Sequence, residues 1–391
     1  MKLLRIKLEN INIFTEGLEM DFTAADRIMN EDSVTKINDK LSCQNVIALT
    51  GLNASGKTSV LRLVVNVVDL LVKSTSLNLN TQFKSYPVLR EGSIIQVDFI
   101  TDKKLYRLES YIGTNNRNRM DNNEQCFFFS EEIIYSKKLS SLKKKSDVFE
   151  YKQDNVLIKR SELEKRNELS LLANDISIIA YVTKNKSIFL EDMIDPILNQ
   201  IPESIGYIDD SILNLFDNNI LETYIKDGDL NIEGAEEEAN EDSVLIRGDN
   251  LTSILSSGTI KGIQLFNKFI NTLKYGGYLV IDEIEQHMNK KLVYFILQLF
   301  LDKDINKNGA CLIFTTHYPE ILDMLDRKDN IYLLTKKKGV CQILRYSDFV
   351  SRNDIKKSDV VLSNYINGTA PRYEDVLRVR NYLSKQLERS K

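Results

Sequence analysis

The chain has 391 residues, 42% of them hydrophobic and 28% charged, with a formal net charge of −4. That length allows two or three domains, or one large α/β domain carrying an insertion, and that composition is ordinary for a protein with a real core. The charge leaves no global basic footprint, so any nucleic-acid contact has to come from a local patch. Only two histidines, His287 and His317, are present, which excludes HNH-type nucleases and metal centres built on several imidazoles.

No apolar run approaches the roughly 18 residues needed to cross a bilayer, so no membrane span is expected. Met1 to Lys7 alternates like a strand rather than forming the apolar core of a signal peptide. The four cysteines (Cys43, Cys126, Cys311, Cys341) lack Cys-x-x-Cys spacing. Cys43 and Cys311 sit in or beside apolar runs. Buried free thiols and a cytoplasmic location are the expectation.

In chain order, residues 1–22 read as two strands and 24–42 as a polar surface loop. Val46 to Leu49 then forms a short apolar run of buried-strand type. It breaks into Gly51-Leu52-Asn53-Ala54-Ser55-Gly56-Lys57-Thr58-Ser59, followed by apolar residues at helical spacing from Val60 to Val68, a helix ending near Lys73. Strand, glycine-rich loop and helix in this order are what a phosphate-binding loop requires. Gly51 and Gly56 let the backbone curl so that successive N–H groups converge, and the helix dipole adds positive potential there. Lys57 is placed to reach the β and γ phosphates, and the Thr58 hydroxyl to ligate Mg²⁺. Asn53 through Ser59 are the candidate contacts to a nucleoside triphosphate.

From Ile94 to Arg160 the pattern predicts strands. Ile94–Ile100 and Leu105–Tyr111 pair through a turn at Asp102–Lys104, Asn115–Arg119 marks a loop, and further strands fall at Cys126–Phe129, Ile133–Tyr135, Val148–Tyr151 and Val156–Ile158. Helical periodicity then runs, with breaks at Pro196 and Pro202, from Glu162 to Tyr224. Glu233–Asp242 is acidic and reads as a solvated loop. Lys143–Lys145, with Lys137 and Lys138 nearby, is a basic cluster that also reads as a solvated turn. No extended heptad run and no internal repeat occur.

A second set of motifs follows. Leu255-Ser256-Ser257-Gly258-Thr259 opens a helical pattern, Ile260–Lys274. Small residues there expose N–H groups and a hydroxyl suited to a γ-phosphate, the role expected of Ser256 and Gly258. Gly276-Gly277 turns the chain into Tyr278–Ile281, a buried strand ending in Asp282-Glu283. This is a Walker B pattern, with Asp282 expected to hold the metal and Glu283 to act as general base. Cys311–Phe314 is another buried strand, ending in Thr315-Thr316-His317, and a histidine at a strand's carboxyl end lies where α/β sheets bind ligands.

These residues resemble the ABC-type ATPase heads of SMC, RecF and OLD proteins, and in particular the stand-alone AAA family ATPases placed in bacterial defence systems. The resemblance rests on Gly51–Thr58, Leu255–Thr259, Tyr278–Glu283 and the switch position His317, and it is faint between residues 75 and 245. It implies an α/β P-loop NTPase of ABC-head type with an inserted β-rich, then helical, subdomain. The expected division is 1–93 (ATPase lobe with the phosphate loop), 94–245 (insert), 246–335 (signature, Walker B and switch histidine) and 336–391 (C-terminal extension). ATP and Mg²⁺ are the implied cofactors, with Lys57, Glu283 and His317 serving hydrolysis. Ser256 would contact ATP held by a second subunit, so that ATP joins two heads, and Ile284–Asn289 would form the D-loop region, making His287 structural or interfacial. The resemblance suggests a separate effector, such as a nuclease or Toprim-like subunit, in anti-phage defence. A RecF-like DNA-binding head is the alternative, with Lys143–Lys145 and Lys336–Lys338 as phosphate contacts. Two departures stand out: Ser-Ser-Gly-Thr replaces the transporter Ser-Gly-Gly-Gln, and no Q-loop glutamine is evident unless it is Gln96. Lys336–Lys391 contains no Asp-x-Asp pair, so no fused nuclease domain is expected.

Overall fold

In a computed structural model of the chain, the structure describes residues 1–73, 76–78, 88–119, 122–166, 173–184, 186–194, 215, 220–226, 229–234, 257–286, 288–337, 339–352, 354–370 and 373–389. The strands are β1 (Lys2–Glu9), β2 (Leu18–Asp21), β3 (Val34–Lys36), β4 (Ser42–Gln44) and β5 (Val46–Gly51), followed by helix α1 (Lys57–Lys73). Next come β6 (Ile94–Thr101), β7 (Lys104–Arg119), β8 (Asn122–Lys138), β9 (Val156–Lys159), β10 (Leu190–Met193), β11 (Ile220–Lys226) and β12 (Asp229–Gly234). After the helix Ser257–Tyr275 come β13 (Tyr278–Ile281), β14 (Cys311–Thr316), β15 (Ile331–Lys337) and β16 (Val340–Arg345).

The core sheet runs β10-β13-β14-β5-β15-β16. It is parallel from β10 to β15, and β16 closes it as an antiparallel hairpin partner. Its central strands are buried on both faces, which is why they read as unbroken apolar runs rather than alternating ones. Along β5, Ile47 and Leu49 face one cluster and Val46 and Ala48 the other. The first cluster holds α1, from Val60 to Leu71, against a second sheet, β2-β1-β6-β7-β8-β9, which is antiparallel. Buried between two sheets, α1 is apolar nearly all round, and each of its sequestered Val and Leu side chains contributes about 1.5–3 kcal/mol. The second cluster packs Leu265 and Phe269 of Ser257–Tyr275, and Val293, Ile296 and Phe300 of the helix Lys290–Leu301, beneath the opposite face.

Several sequence expectations give way here. Residues 24–42 contain β3 and the first residue of β4, the two strands pairing through Val34↔Gln44, and Leu41 is buried. Asn115–Arg119 is not a loop: β7 and β8 stay paired out to Arg119↔Asn122, ladder bonds overriding weak strand propensity. Val148–Tyr151 is not a strand. Asp147 accepts the Lys143 and Lys144 amides at 2.8 and 3.0 Å and turns Lys145–Phe149 into a 3-10 helix with Val148 buried. The described part of 162–224 holds the short helices Arg160–Lys165 and Ala180–Thr183, a helical residue at Leu215, and β10 and the start of β11. β10 adds to the core sheet with Leu190 opposite Tyr278. Glu233 and Gly234 belong to β12, and the rest of the acidic run lies outside the described residues. Residues 1–93 supply β1 and β2 to the same sheet as β6–β9, and β16, inside the expected C-terminal extension, completes the core sheet. No described helix is long and apolar enough to cross a membrane, and all four cysteines are free.

Candidate nucleotide site

β5 runs out at Gly51, whose φ is +154° and where a Cβ would lie 2.1 Å from the Leu334 carbonyl oxygen of β15. Only glycine lets the loop leave the sheet there. Gly56, at φ +98°, is equally constrained, because a Cβ would meet the Phe14 ring at 2.9 Å. Between them Ala54 adopts φ +59° and Ser55 is buried. The loop thus bends sharply into the first turn of α1, which starts at Lys57. Lys57 is itself buried, with Nζ donating to the Gly51 and Leu52 carbonyls at 3.0 and 3.2 Å. Burial pushes its ammonium below the usual lysine range, against the pull of the Glu283, Asp282 and Glu285 carboxylates.

The carboxyl ends of β13 and β14 meet this loop. Thr58 Oγ1 donates to Asp282 Oδ2 at 2.6 Å, joining residues 224 apart in the chain. A hydroxyl and a carboxylate this close form an all-oxygen donor pair. Among the described residues no cluster of three or more His, Cys, Asp or Glu could hold a metal unaided. A partial oxygen set suits Mg²⁺, which retains waters and takes further ligands from phosphates. Thr58 and Asp282 are therefore the residues that would hold it.

Glu283 sits at φ +48°, a left-handed conformation rare for a residue with a side chain. Its N–H donates to Thr315 Oγ1 at 2.7 Å, and that hydroxyl donates in turn to Asp282 Oδ1 at 2.5 Å. Glu283 Oε1 lies 3.0 Å from His317 Nε2, and Oε2 accepts from Gln286 Nε2. The His317 backbone N–H donates to Glu285 Oε1 at 2.5 Å, and Thr50 Oγ1 binds the Thr316 carbonyl at 3.0 Å, tying β5 to β14. Asn53 through Ser59, Glu283 and His317 all line one cavity of about 1130 Å³. That volume accommodates a nucleotide.

Of the residues singled out from sequence, Asn53, Ala54, Ser55, Gly56, Lys57, Thr58, Ser59, Glu283 and His317 line the cavity, and Asp282 touches its rim through Thr58. Gly258 falls in the first turn of Ser257–Tyr275. Ser256 and His287 lie outside the described residues. Gln96 sits on β6 with Nε2 3.4 Å from Asp98, away from the cavity. Sequence reasoning placed Glu285 and Gln286 in a D-loop region and Thr315 at a strand end but gave none of them a role in holding Asp282, Glu283 or His317. Gln286 carried a signal, since it follows Glu283 at the i, i+3 spacing of the intervening 3-10 turn Ile284–Gln286. Missed were Asn12 and Ile13 before the loop and Gly339 and Cys341 after it, which with Lys336, expected only as a DNA contact, form another wall. In the basic cluster, Lys145 Nζ donates to the Ala25 carbonyl at 2.9 Å and Lys137 Nζ to the Glu150 carbonyl at 2.6 Å.

Residues 46–323, from β5 to the turn that follows β14, match the family described as AAA domain, putative AbiEii toxin, type IV TA system. The chain belongs to that family. No curated protein matches it. As a P-loop AAA domain the chain is of nucleotide-binding ATPase type, and the phosphate loop, β13 and β14 all lie inside the matched span, whereas Asn12, Ile13 and the β15–β16 wall lie outside it.

Proposed function

We propose that this AAA-domain protein hydrolyses Mg-ATP and that ATP joins two of its heads, controlling a separate effector in bacterial anti-phage defence. The observation that carries the catalytic part is the convergence of Lys57, Thr58, Asp282, Glu283 and His317 on one cavity from three neighbouring parallel strands. Backbone amides of the loop and Lys57 bind the phosphates. The Glu283 carboxylate takes the proton of a water as its oxygen attacks the γ-phosphorus, and the bond to the β-phosphate oxygen breaks to give ADP and phosphate. His317, 3.0 Å from Glu283, orients that carboxylate and is placed to bond the departing phosphate. A bound Mg²⁺ would neutralise charge on the phosphate oxygens.

Head association is supported by the placement of the signature helix. The Gly276 turn, at φ +70°, reverses the chain between Ser257–Tyr275 and β13. The helix N-terminus therefore lies toward the end of the sheet where Asp282 emerges. A signature opening the helix at that end suits a γ-phosphate held by a second subunit. The defence role rests on family membership, whose description names a toxin of a toxin–antitoxin system.

Light scattering after size exclusion on Glu283→Gln tests the reading. Mg-ATP is expected to double the mass, Lys57→Ala to abolish nucleotide binding, and Ser256→Arg to keep binding while blocking association. An unchanged mass with and without Mg-ATP, in a variant that binds ATP, would refute ATP-driven association. Turnover unaltered by Glu283→Gln would remove Glu283 as the base.

A further inference from the structure

The basic run at the end of β15 has a place in the fold that its sequence did not disclose. β15 lies beside β5 with Leu334 opposite Gly51, so two residues further on Lys336 stands past the end of β5, on the side of the phosphate loop. Lys336 and Cys341 are cross-strand partners in the β15–β16 hairpin and both line the nucleotide cavity. Cross-strand partners project to one face, so the next pair, Lys337 and Val340, points the other way, and neither lines the cavity. The hairpin is anchored where it matters. The Cys341 amide donates to the Ile13 carbonyl at 3.2 Å, and Gln342 Nε2 to Glu16 at 2.5 Å. The Cys341 Sγ lies 3.5 Å from the point where a Gly56 Cβ would be.

Sheet order sets the polarity of the site. The order β13-β14-β5-β15 places Glu283 and His317 on one side of the phosphate loop and Lys336 on the other. A nucleotide whose γ-phosphate faces Glu283 must extend its nucleoside end toward the hairpin. We propose that Lys336 is a second cation of this site, binding the α-phosphate and ribose side of a nucleoside di- or triphosphate. This rests on the nucleotide-binding reading above. Lys336 is thereby a nucleotide contact rather than the DNA contact that the composition of its run suggested. Lys57 holds the β and γ phosphates and Lys336 the end common to ATP and ADP, so the two cations bracket the phosphate chain.

Calorimetric titration with Mg-ADP and with a non-hydrolysable Mg-ATP analogue tests the assignment on full-length protein whose melting curves match the wild type. Lys336→Ala is expected to weaken both ligands by about fivefold and Lys336→Glu by more, as for a partly exposed charge-assisted contact. Lys336→Arg is expected to restore binding, and Lys337→Ala to change nothing. In turnover assays Lys336→Ala raises KM and leaves kcat alone, the mark of binding shared by ground and transition states. Wild-type affinity in Lys336→Ala would overturn the proposal, as would a loss confined to the triphosphate. Equal loss of duplex DNA binding in Lys336→Ala and Lys337→Ala with unchanged nucleotide affinity would also overturn it, in favour of DNA. Lys57→Ala separates the two levels. If it too binds nucleotide normally, the nucleotide-binding reading itself fails; if it loses nucleotide while Lys336→Ala does not, only the second cation is wrong.

Discussion

Asp282 and Glu283 are adjacent in sequence but are held by one hydroxyl that lies 33 and 32 residues downstream of them. Thr315 accepts from the Glu283 amide and donates to Asp282 Oδ1, and it is fully buried. Its donated proton orients the carboxylate that would face the metal, and its accepted one holds Glu283 in the left-handed region, a conformation that costs about 1–3 kcal/mol unless surroundings enforce it. Replacing Thr315 by Val keeps the shape and deletes both bonds. Turnover is expected to fall about 10- to 100-fold, with a higher Mg²⁺ concentration needed for half-maximal rate. Thr315→Ser is expected to recover most of it, whereas a purely packing role would make Val the milder change. A magnesium titration of ATPase rate on both variants decides. Asp282 and Glu283 were legible in the sequence because a strand ending in two carboxylates is contiguous. Thr315 was not, because its partners are named only by the register of β14 against β13.

At the scale of elements, β8 and the turn after it show how a lysine run can be structural. Lys137 Nζ donates to the Asp147 and Glu150 carbonyls and stands 4.0 Å from the Tyr151 ring centroid. Burial, with Arg107 nearby, pushes its ammonium down from 10.5 to about 8, while Asp98, Asp147 and Glu150 oppose the shift. The unfolded chain therefore keeps this proton between pH 8 and 10.5 while the folded chain releases it, so the cost of the buried charge is present below pH 8 and lifts as pH rises through that window. Melting temperature is expected to climb between pH 8 and 10 more steeply in wild type than in Lys137→Met. Parallel slopes in the two proteins would show that Lys137 is not the titrating group. The same region shows where pattern reading fails. β10, Leu-Glu-Asp-Met, alternates poorly and carries two acids, yet it pairs with β13. Glu191 there takes Lys268 of the signature helix at 2.5 Å. Pairing partners supplied by the fold, not local propensity, make it a strand.

Across the whole molecule, the C-terminal region divides in two. Ser358 bonds both oxygens of Asp323, at 3.0 and 2.5 Å, docking residues 357–370 on the turn after β14, where Val361 and Thr369 come close to Leu52 and His317 around a cavity of about 410 Å³. Beyond it the helix Tyr373–Arg389 leaves Tyr373 75% and Leu387 70% exposed, contributing little to the core. Deleting residues 371–391 is expected to leave the melting temperature of the remainder unchanged, while deletion from residue 357 onward, which strips Val360 and Val361 from the core, lowers it. Scanning calorimetry of the two truncations reads this directly; a large drop in the first would place the helix in the folded core.

What the sequence by itself determined is the set of features written in consecutive residues: the strand–loop–helix of Val46 to Lys73, the buried strands ending in Asp282-Glu283 and in His317, and the hairpin of β6 and β7. Each arises from short-range constraint, either a backbone that must curl around glycines or a run buried on both faces. Only the tertiary structure decided that α1 lies between two sheets, that Thr315 and Gln286 hold the Walker B carboxylates, and that the end of β15 walls the nucleotide cavity. Those placements depend on strand order, and strand order follows from which buried surfaces find one another across hundreds of residues rather than from any local pattern.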